Sequence, residues 1–170
     1  FVRQDQPRGL GHAVKLARRV VGDEPFAVLL PDDVIRAPRG ALAQMVEAHA
    51  QTGGHMVATM NVPRAKTSSY GVLDVDNENG KIAKARGMVE KPRPDVAPAT
   101  LAVIGRYILQ PSIFDRLAVQ GPGAGGELQL TDAINADIAN AGVCGFRFAG
   151  QRFDCGSVQG FVQATTQFAL

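Results

Sequence analysis

The sequence predicts an α/β fold of three layers, with helices on both faces of a mixed central sheet. Three observations predict it. Short apolar runs of strand character alternate with helical patterns along the 170 residues. One strand–turn–strand pattern interrupts the alternation, which makes the sheet mixed rather than parallel. Apolar residues make up 45% of the chain and charged residues 20%, enough to bury a core and too apolar for disorder.

The elements follow in order. The turn Gly9-Leu10-Gly11 opens a helical pattern running to Val21, with Ala13, Leu16, Ala17 and Val20 on one face. Phe26–Leu30 is a continuous apolar run, which predicts a strand buried on both faces, ended by Pro31-Asp32-Asp33. Ala41–Ala50 reads as a helix with Leu42, Met45 and Val46 as its apolar stripe, stopped by Gly53-Gly54. His55–Val62 is a second buried strand. Tyr70–Val75 and Lys81–Met88 form a hairpin, with Asn77-Glu78-Asn79-Gly80 as its turn. Leu101–Leu109 is a strand and Ile113–Val119 a short helix. The segment 120–126 holds four glycines and a proline and reads as a loop. Glu127–Ala141 is a helix with Leu130, Ile134 and Ile138 in register, Val143–Ala149 a strand, and Ser157 caps a last helix to Phe168. There is no internal repeat and no boundary, so residues 1–170 read as a single domain.

Composition excludes several classes. A net charge of +2 is too small for a nucleic-acid binder, and ten scattered Phe and Tyr with no Trp give no base-stacking platform. No apolar run nears the roughly 20 residues that span a bilayer, and no signal peptide is visible. Cys144 and Cys155 belong to no ligand pattern and read as small apolar residues of a reducing, cytoplasmic compartment. The chain opens on Phe1-Val2-Arg3-Gln4 without an initiator Met, in the middle of strand-like sequence, which predicts a fragment.

Four places carry side chains suited to chemistry. Asp32-Asp33 follows a buried strand, where open α/β sheets place ligands, and a carboxylate there suits Mg²⁺; a solvated turn explains the same residues. Asp154 stands between a strand and a helix N-terminus, where it either favours the helix dipole or completes a metal site with Asp32. Gln4 and Gly9 bracket a loop that enters a helix, where backbone can approach an anion, although a short glycine turn is commonly just a turn. Glu90-Lys91 ends a strand before Pro92, and offers an acceptor for sugar hydroxyls beside a cation for phosphate, or simply an exposed charged end. Strand alternation puts Glu90 and Lys91 on opposite sides unless the chain bends there. Asp74-Val75-Asp76 has the Asp-x-Asp form of metal-dependent glycosyltransferases but sits in the predicted hairpin. His12, His49 and His55 lack metal-ligand spacing.

The order of short motifs is more specific than any one of them. Gln4-Asp-Gln-Pro-Arg-Gly-Leu-Gly-His-Ala13, Leu29-Leu-Pro-Asp-Asp33, Ser69-Tyr-Gly-Val72, Val89-Glu-Lys-Pro92, Gly126-Glu-Leu-Gln-Leu-Thr-Asp132 and Asp154-Cys-Gly156 together resemble the bacterial UTP–glucose-1-phosphate uridylyltransferases, across nearly the whole chain. A looser version is shared by the wider sugar-1-phosphate nucleotidyltransferases. The resemblance implies a Rossmann-like, GT-A-like nucleotidyltransferase fold that lacks the family's opening strand, Gly-rich loop and Lys. It implies synthesis of UDP-glucose and pyrophosphate from UTP and glucose-1-phosphate, with Mg²⁺, in a homo-oligomer without nucleic acid or membrane.

Site roles come from the same resemblance. Gln4 and Gly9 match the residues that read the uracil edge, Asp32 the magnesium carboxylate, and Asp154 the second metal carboxylate of the wider group. Gly71 brings backbone to the hexose, Glu90 holds glucose hydroxyls, Lys91 grips the sugar phosphate, and Glu127 orients the hexose side. Asp32 and Lys91 would carry catalysis, and the chain alone, without the family's opening segment, is expected to be poorly active or inactive. Two other readings compete: an inactive remnant or nucleotide-sugar-binding module of the same fold, and a glycosyltransferase using Asp74 and Asp76.

Overall fold

The computed structural model describes residues 1–169. In chain order the elements are α1 (Leu10–Leu16), α2 (Arg18–Val21), β1 (Phe26–Leu29), β2 (Asp33–Arg36), α3 (Ala41–Thr52), β3 (His55–Asn61), β4 (Gly71–Asn79), β5 (Ile82–Glu90), β6 (Leu101–Leu109), α4 (Ile113–Val119), α5 (Leu130–Ala141), β7 (Val143–Arg147), β8 (Gln151–Asp154) and α6 (Val158–Ala169). Six strands form a mixed sheet in the order β1-β6-β3-β7-β5-β4, and β2 and β8 form a separate two-stranded ribbon. Within the large sheet β3 and β7 run parallel, and the other pairs are antiparallel.

The three predicted layers are present. On one face Val14 of α1, Ile113, Phe114 and Leu117 of α4, and Leu130, Ala133 and Ile134 of α5 pack on Val57, Leu73, Val103 and Leu109. On the other face Met45 and Ala48 of α3 pack on Met56, Ala58, Ile104 and Phe146. Strand alternation divides β6 between them, Val103 to one core and Ile104 to the other. This is why the Leu101–Leu109 run is apolar at nearly every position.

Several expectations are corrected. β1 is an edge strand rather than a central one, and its residues alternate between half-buried and exposed, with Leu29 49% exposed. Its inner face is anchored by Phe26, which stacks on Phe114 with ring centroids 4.9 Å apart. An apolar run alone does not separate an edge strand from a central one. The first helix breaks at Ala17, and its buried residues are Gly11 and Val14, while Val20 is exposed. In α3 the buried stripe is Ala41, Met45 and Ala48, and Val46 faces solvent. The hairpin is longer than predicted. Asn79 pairs with Ile82, so the turn is Gly80-Lys81, with Gly80 at φ 59°. α5 starts at Leu130, three residues later than predicted. Ser157 caps α6 as expected, its hydroxyl accepting from the Gly160 N–H at 3.1 Å. β2 and β8 were not predicted.

A buried polar network ties α4 and α5 to the start of β3. Asp137 is fully buried on α5. It accepts from Arg116 Nε at 2.8 Å, Ser112 Oγ, Asn140 Nδ2 at 3.3 Å and His55 Nε2 at 3.0 Å. The Gln110 N–H donates to His55 Nδ1 at 3.1 Å, which leaves the ring proton on Nε2 and the imidazole neutral. Burial pushes the His55 pKa below its ordinary value of 6.5, and its bond to Asp137 only partly offsets this. Burial also works against the Asp137 charge, but the bonds from Ser112, Arg116, His55 and Asn140 hold its pKa below the usual carboxylate value.

Two outcomes follow from this network. Asp137→Ala leaves four donors without their shared acceptor and should cost about 3–5 kcal/mol in urea unfolding; a loss below about 1 kcal/mol would contradict the network's role. His55 has a depressed folded pKa, so its contribution is complete above pH 6.5 and lost as pH falls through the folded value. The urea midpoint should therefore fall on acidification from about pH 7.5 to about pH 5, and a flat or rising midpoint would refute the assignment of a buried neutral imidazole.

Candidate functional site

β6 offers one edge to β3 along its length and divides the other. Arg106–Leu109 pair with β1, whereas Ala102 pairs with Val72 of β4. Val103–Gly105 lie between these two partners. There a cavity of about 330 Å³ opens, floored by Val103, Ile104, Gly105 and Tyr107. Asp32, Asp33, Arg152 and Asp154 line it, as do Tyr70, Gly71, Glu90, Lys91, Glu127 and Thr131. Gly105 is required by its crowding. A Cβ there would lie 2.6 Å from Leu30 Cβ and 2.7 Å from Asp33 Oδ2.

The carboxylate end is built by the turn after β1. Leu30 N–H donates to Gly105 O at 2.9 Å, and the Arg106 guanidinium holds the carbonyls of Leu30, Gly105 and Asp33. The chain then reverses into β2, where Asp33 pairs with Asp154 of β8. Asp32 is exposed and Asp33 is 6% exposed. Cys155 N–H donates to Asp32 O at 2.7 Å, which pins the two loops together. A Cβ on Gly156 would lie 3.2 Å from Asp154 Oδ1 and 3.3 Å from Asp32 Oδ2. The two oxygens are therefore no farther apart than the sum of those distances, within the span two carboxylates bridge around one hydrated ion. Among the described residues no three His, Cys, Asp or Glu side chains converge as a ligand group. Two carboxylates suit Mg²⁺, which keeps several waters and binds one or two protein carboxylates plus phosphate.

The other end is built where the β4–β5 ladder finishes. Gly71 pairs with Glu90, and Lys91 N–H donates to Tyr70 O at 3.0 Å. Lys91 has φ 45°, the one non-glycine residue at positive φ among those described. That conformation is disfavoured, more so before Pro92, and costs about 1–3 kcal/mol. It is the bend that strand alternation demanded, and it lets Glu90 and Lys91 line one cavity. Their charges lie 3.7 Å apart. Thr131, at the start of α5, donates to Glu90 Oε2 at 2.7 Å and fixes that carboxylate. A Cβ on Gly71 would crowd Thr131 Oγ1 and Glu90 Oε2, at 3.2 and 3.3 Å. Tyr107 closes the floor between the two ends. Burial first, then the charges of Glu90, Asp33 and Asp32, push its phenol pKa up and keep it neutral.

Of the predicted site residues, Asp32, Gly71, Glu90, Lys91, Glu127 and Asp154 thus share one cavity, while Gln4 and Gly9 lie outside its lining. Gln4 Nε2 donates to Gly9 O at 3.2 Å and meets His12 Nδ1 at 2.9 Å. Gly9, at φ 93°, packs where a Cβ would stand 2.8 Å from Glu127 Cβ. Asp74 lies outside the cavity and pairs with Arg86 at 3.0 Å through both oxygens. A larger open cavity of about 500 Å³ lies between α3, the β4–β5 turn and β7, but its Arg39 and Glu47 pair with each other and Gln44 bonds the backbone of Arg39 and Ala149. Residue reasoning missed Tyr70, Gly105, Thr131 and Arg152. Arg152 and Asp154 are two apart on a strand, hence on one face, which was a usable signal once β8 was recognised.

Comparison with known proteins identifies a family. The family model described as nucleotidyl transferase matches residues 1–169. The UTP–glucose-1-phosphate uridylyltransferase 2 of Staphylococcus saprophyticus is 45% identical over 170 residues, all of this chain and 59% of that protein. A UTP–glucose-1-phosphate uridylyltransferase of Komagataeibacter xylinus is 48% identical over 149 residues, 88% of this chain and 52% of that protein. Among solved structures, a UDP-glucose pyrophosphorylase complexed with UDP-glucose superposes with TM-score 0.94 at 38% identity, over 99% of this chain and 64% of that one. A UTP-bound enzyme of the same kind from Acinetobacter baumannii gives TM-score 0.86 at 37% identity, over 98% and 58%. The chain thus spans roughly half to two-thirds of the length of these relatives. With a family model matched across residues 1–169 and relatives aligned over nearly all of it, the chain belongs to the nucleotidyl transferase family.

Proposed function

We propose that the protein transfers a uridylyl group from UTP to glucose-1-phosphate, giving UDP-glucose and pyrophosphate. The observation that carries this reading is the division of one cavity into a carboxylate pair, Asp32 and Asp154, and a sugar-phosphate end, Gly71, Glu90 and Lys91. The names of the relatives, and the UDP-glucose and UTP bound in two of the solved structures, support the same substrates.

The chemistry follows from charge. Two anions must meet, so the site's task is to neutralise and align them. Lys91 holds the phosphate of the sugar, whose oxygen attacks the α-phosphorus in line as pyrophosphate departs. Glu90, fixed by Thr131, accepts from glucose hydroxyls, and Gly71, which lines the same cavity, presents its backbone to the ring. Glu127 orients the hexose, and Gln4 and Gly9, which packs on Glu127, read the uracil edge. No side chain has to take a proton, because the attacking phosphate is already ionised near pH 7. Asp32 and Asp154 would hold Mg²⁺, which supplies charge stabilisation at the phosphate oxygens when bound. A cytoplasmic setting is in keeping with the free thiols of Cys144 and Cys155. The glycosyltransferase reading has no support from Asp74, which faces Arg86 outside the cavity.

The test is pyrophosphate release from UTP and glucose-1-phosphate with Mg²⁺. With the chain joined to the opening segment of a relative, release that depends on both substrates is expected, and transfer of glucose from UDP-glucose to an acceptor without it would overturn the proposal. Lys91→Ala should raise KM for glucose-1-phosphate about 10- to 100-fold, the value of one charged hydrogen bond. KM for UTP should change far less, and equal effects on both substrates would remove Lys91 from the sugar-phosphate end.

A further inference from the structure

Asp33 and Arg152 have no role in the reaction as derived so far, yet both are held more firmly than the carboxylates they adjoin. Asp33 Oδ2 accepts from the Gly105 N–H at 2.6 Å, and Oδ1 accepts from Arg152 Nε. Both its oxygens are therefore engaged, which leaves it unsuited to ligate an ion in the cavity. Arg152 is nearly buried, with its side chain 11% exposed. Its Nη1 donates to Tyr70 Oη at 3.1 Å, and its Nη2 stands 3.4 Å from Asp154 Oδ2. Asp154 Oδ1 accepts from the Gly156 N–H at 3.2 Å, and a Cβ on that glycine would touch both this oxygen and Asp32 Oδ2.

We propose that Asp33 and Arg152 are positioning residues, a latch that fixes the rotation of the Asp154 carboxylate beside Asp32 and so sets the site's affinity for a divalent cation. This rests on the reading that Asp32 and Asp154 hold that cation. The β2–β8 ladder fixes where Asp154 stands, because Asp33 and Asp154 are register partners. The ladder does not fix the rotation of the carboxylate; the Gly156 N–H on Oδ1 and Arg152 on Oδ2 do, and Arg152 is the side chain among them. A planar guanidinium reaches Asp33, Tyr70 and Asp154 at once, whereas a lysine ammonium is a point charge that cannot span all three. Groups that orient a metal ligand typically change metal affinity 10- to 100-fold when replaced.

The experiment is Mn²⁺ binding by calorimetry, with Mn²⁺ as the probe for Mg²⁺, on the wild-type protein and on Arg152→Lys, Asp33→Asn, Tyr70→Phe and Asp154→Asn. Arg152→Lys should weaken Mn²⁺ about 10-fold or more, and Asp33→Asn should follow it. Tyr70→Phe, which removes one of the three anchors, should show a smaller loss at an unchanged melting temperature. In turnover the Mg²⁺ needed for half-maximal rate should rise for Arg152→Lys, while KM for glucose-1-phosphate at saturating Mg²⁺ holds within about twofold. If Asp154→Asn loses Mn²⁺ and Arg152→Lys does not, the latch is wrong and the carboxylate pair stands. If Asp154→Asn binds as the wild type does, both are wrong. Should Arg152→Lys melt early, Tyr70→Phe decides: wild-type affinity there overturns the latch.

Discussion

The site depends on one strand edge being shared by two partners. β6 is long enough, at nine residues, to pair with β1 at its C-terminal half and to meet β4 near its start. What lies between them is floor. An extended partner along the whole edge would fill the cavity with backbone. The same division assigns the ends: the turn after β1 delivers the carboxylates, and the close of the β4–β5 ladder delivers Gly71, Glu90 and Lys91. Gly105 sits at the join, where Leu30 and Asp33 press against it too closely for any side chain.

The two ends are stabilised in different ways. The carboxylate end is a network of complementary charges: Arg106 on the turn carbonyls, and Arg152 on Asp33 and Asp154. Burial alone would disfavour the Arg152 charge, but Asp33 and Tyr70 more than compensate and raise its pKa further. The Gly71–Glu90–Lys91 end relies on backbone strain at Lys91, stored where the hairpin ladder and Pro92 over-determine the chain. Lys91 remains half-exposed, with 58% of its side chain accessible, beside the Glu90 carboxylate at 3.7 Å. Glu90, by contrast, is 14% exposed and bonded to Thr131, which fixes its orientation.

The sequence made the local parts of this legible. Leu101–Leu109 and Ile113–Val119 were read with their observed bounds, because a long apolar run and a short amphipathic turn are local signals. β2 and β8 were not, because each is four residues long and finds its partner more than a hundred residues away. β1 was read as central because Phe26–Leu30 is apolar throughout, yet an edge strand that packs one face on α4 has the same composition. For the site, motif order placed six of the eight expected residues in one cavity. It gave nothing for Arg152, Tyr70 or Thr131, whose value lies in which functional side chain each one holds.

The proposed function requires one cavity to hold a divalent ion at Asp32 and Asp154 and a hexose phosphate at Gly71, Glu90 and Lys91. Its most direct test is a crystal structure with UDP-glucose and Mn²⁺, with the ion located by anomalous scattering. The predicted result is a manganese peak between Asp32 and Asp154, with the hexose against Gly71 and Glu90. Manganese bound away from both carboxylates, or UDP-glucose seated in the cavity between α3 and β7, would contradict it.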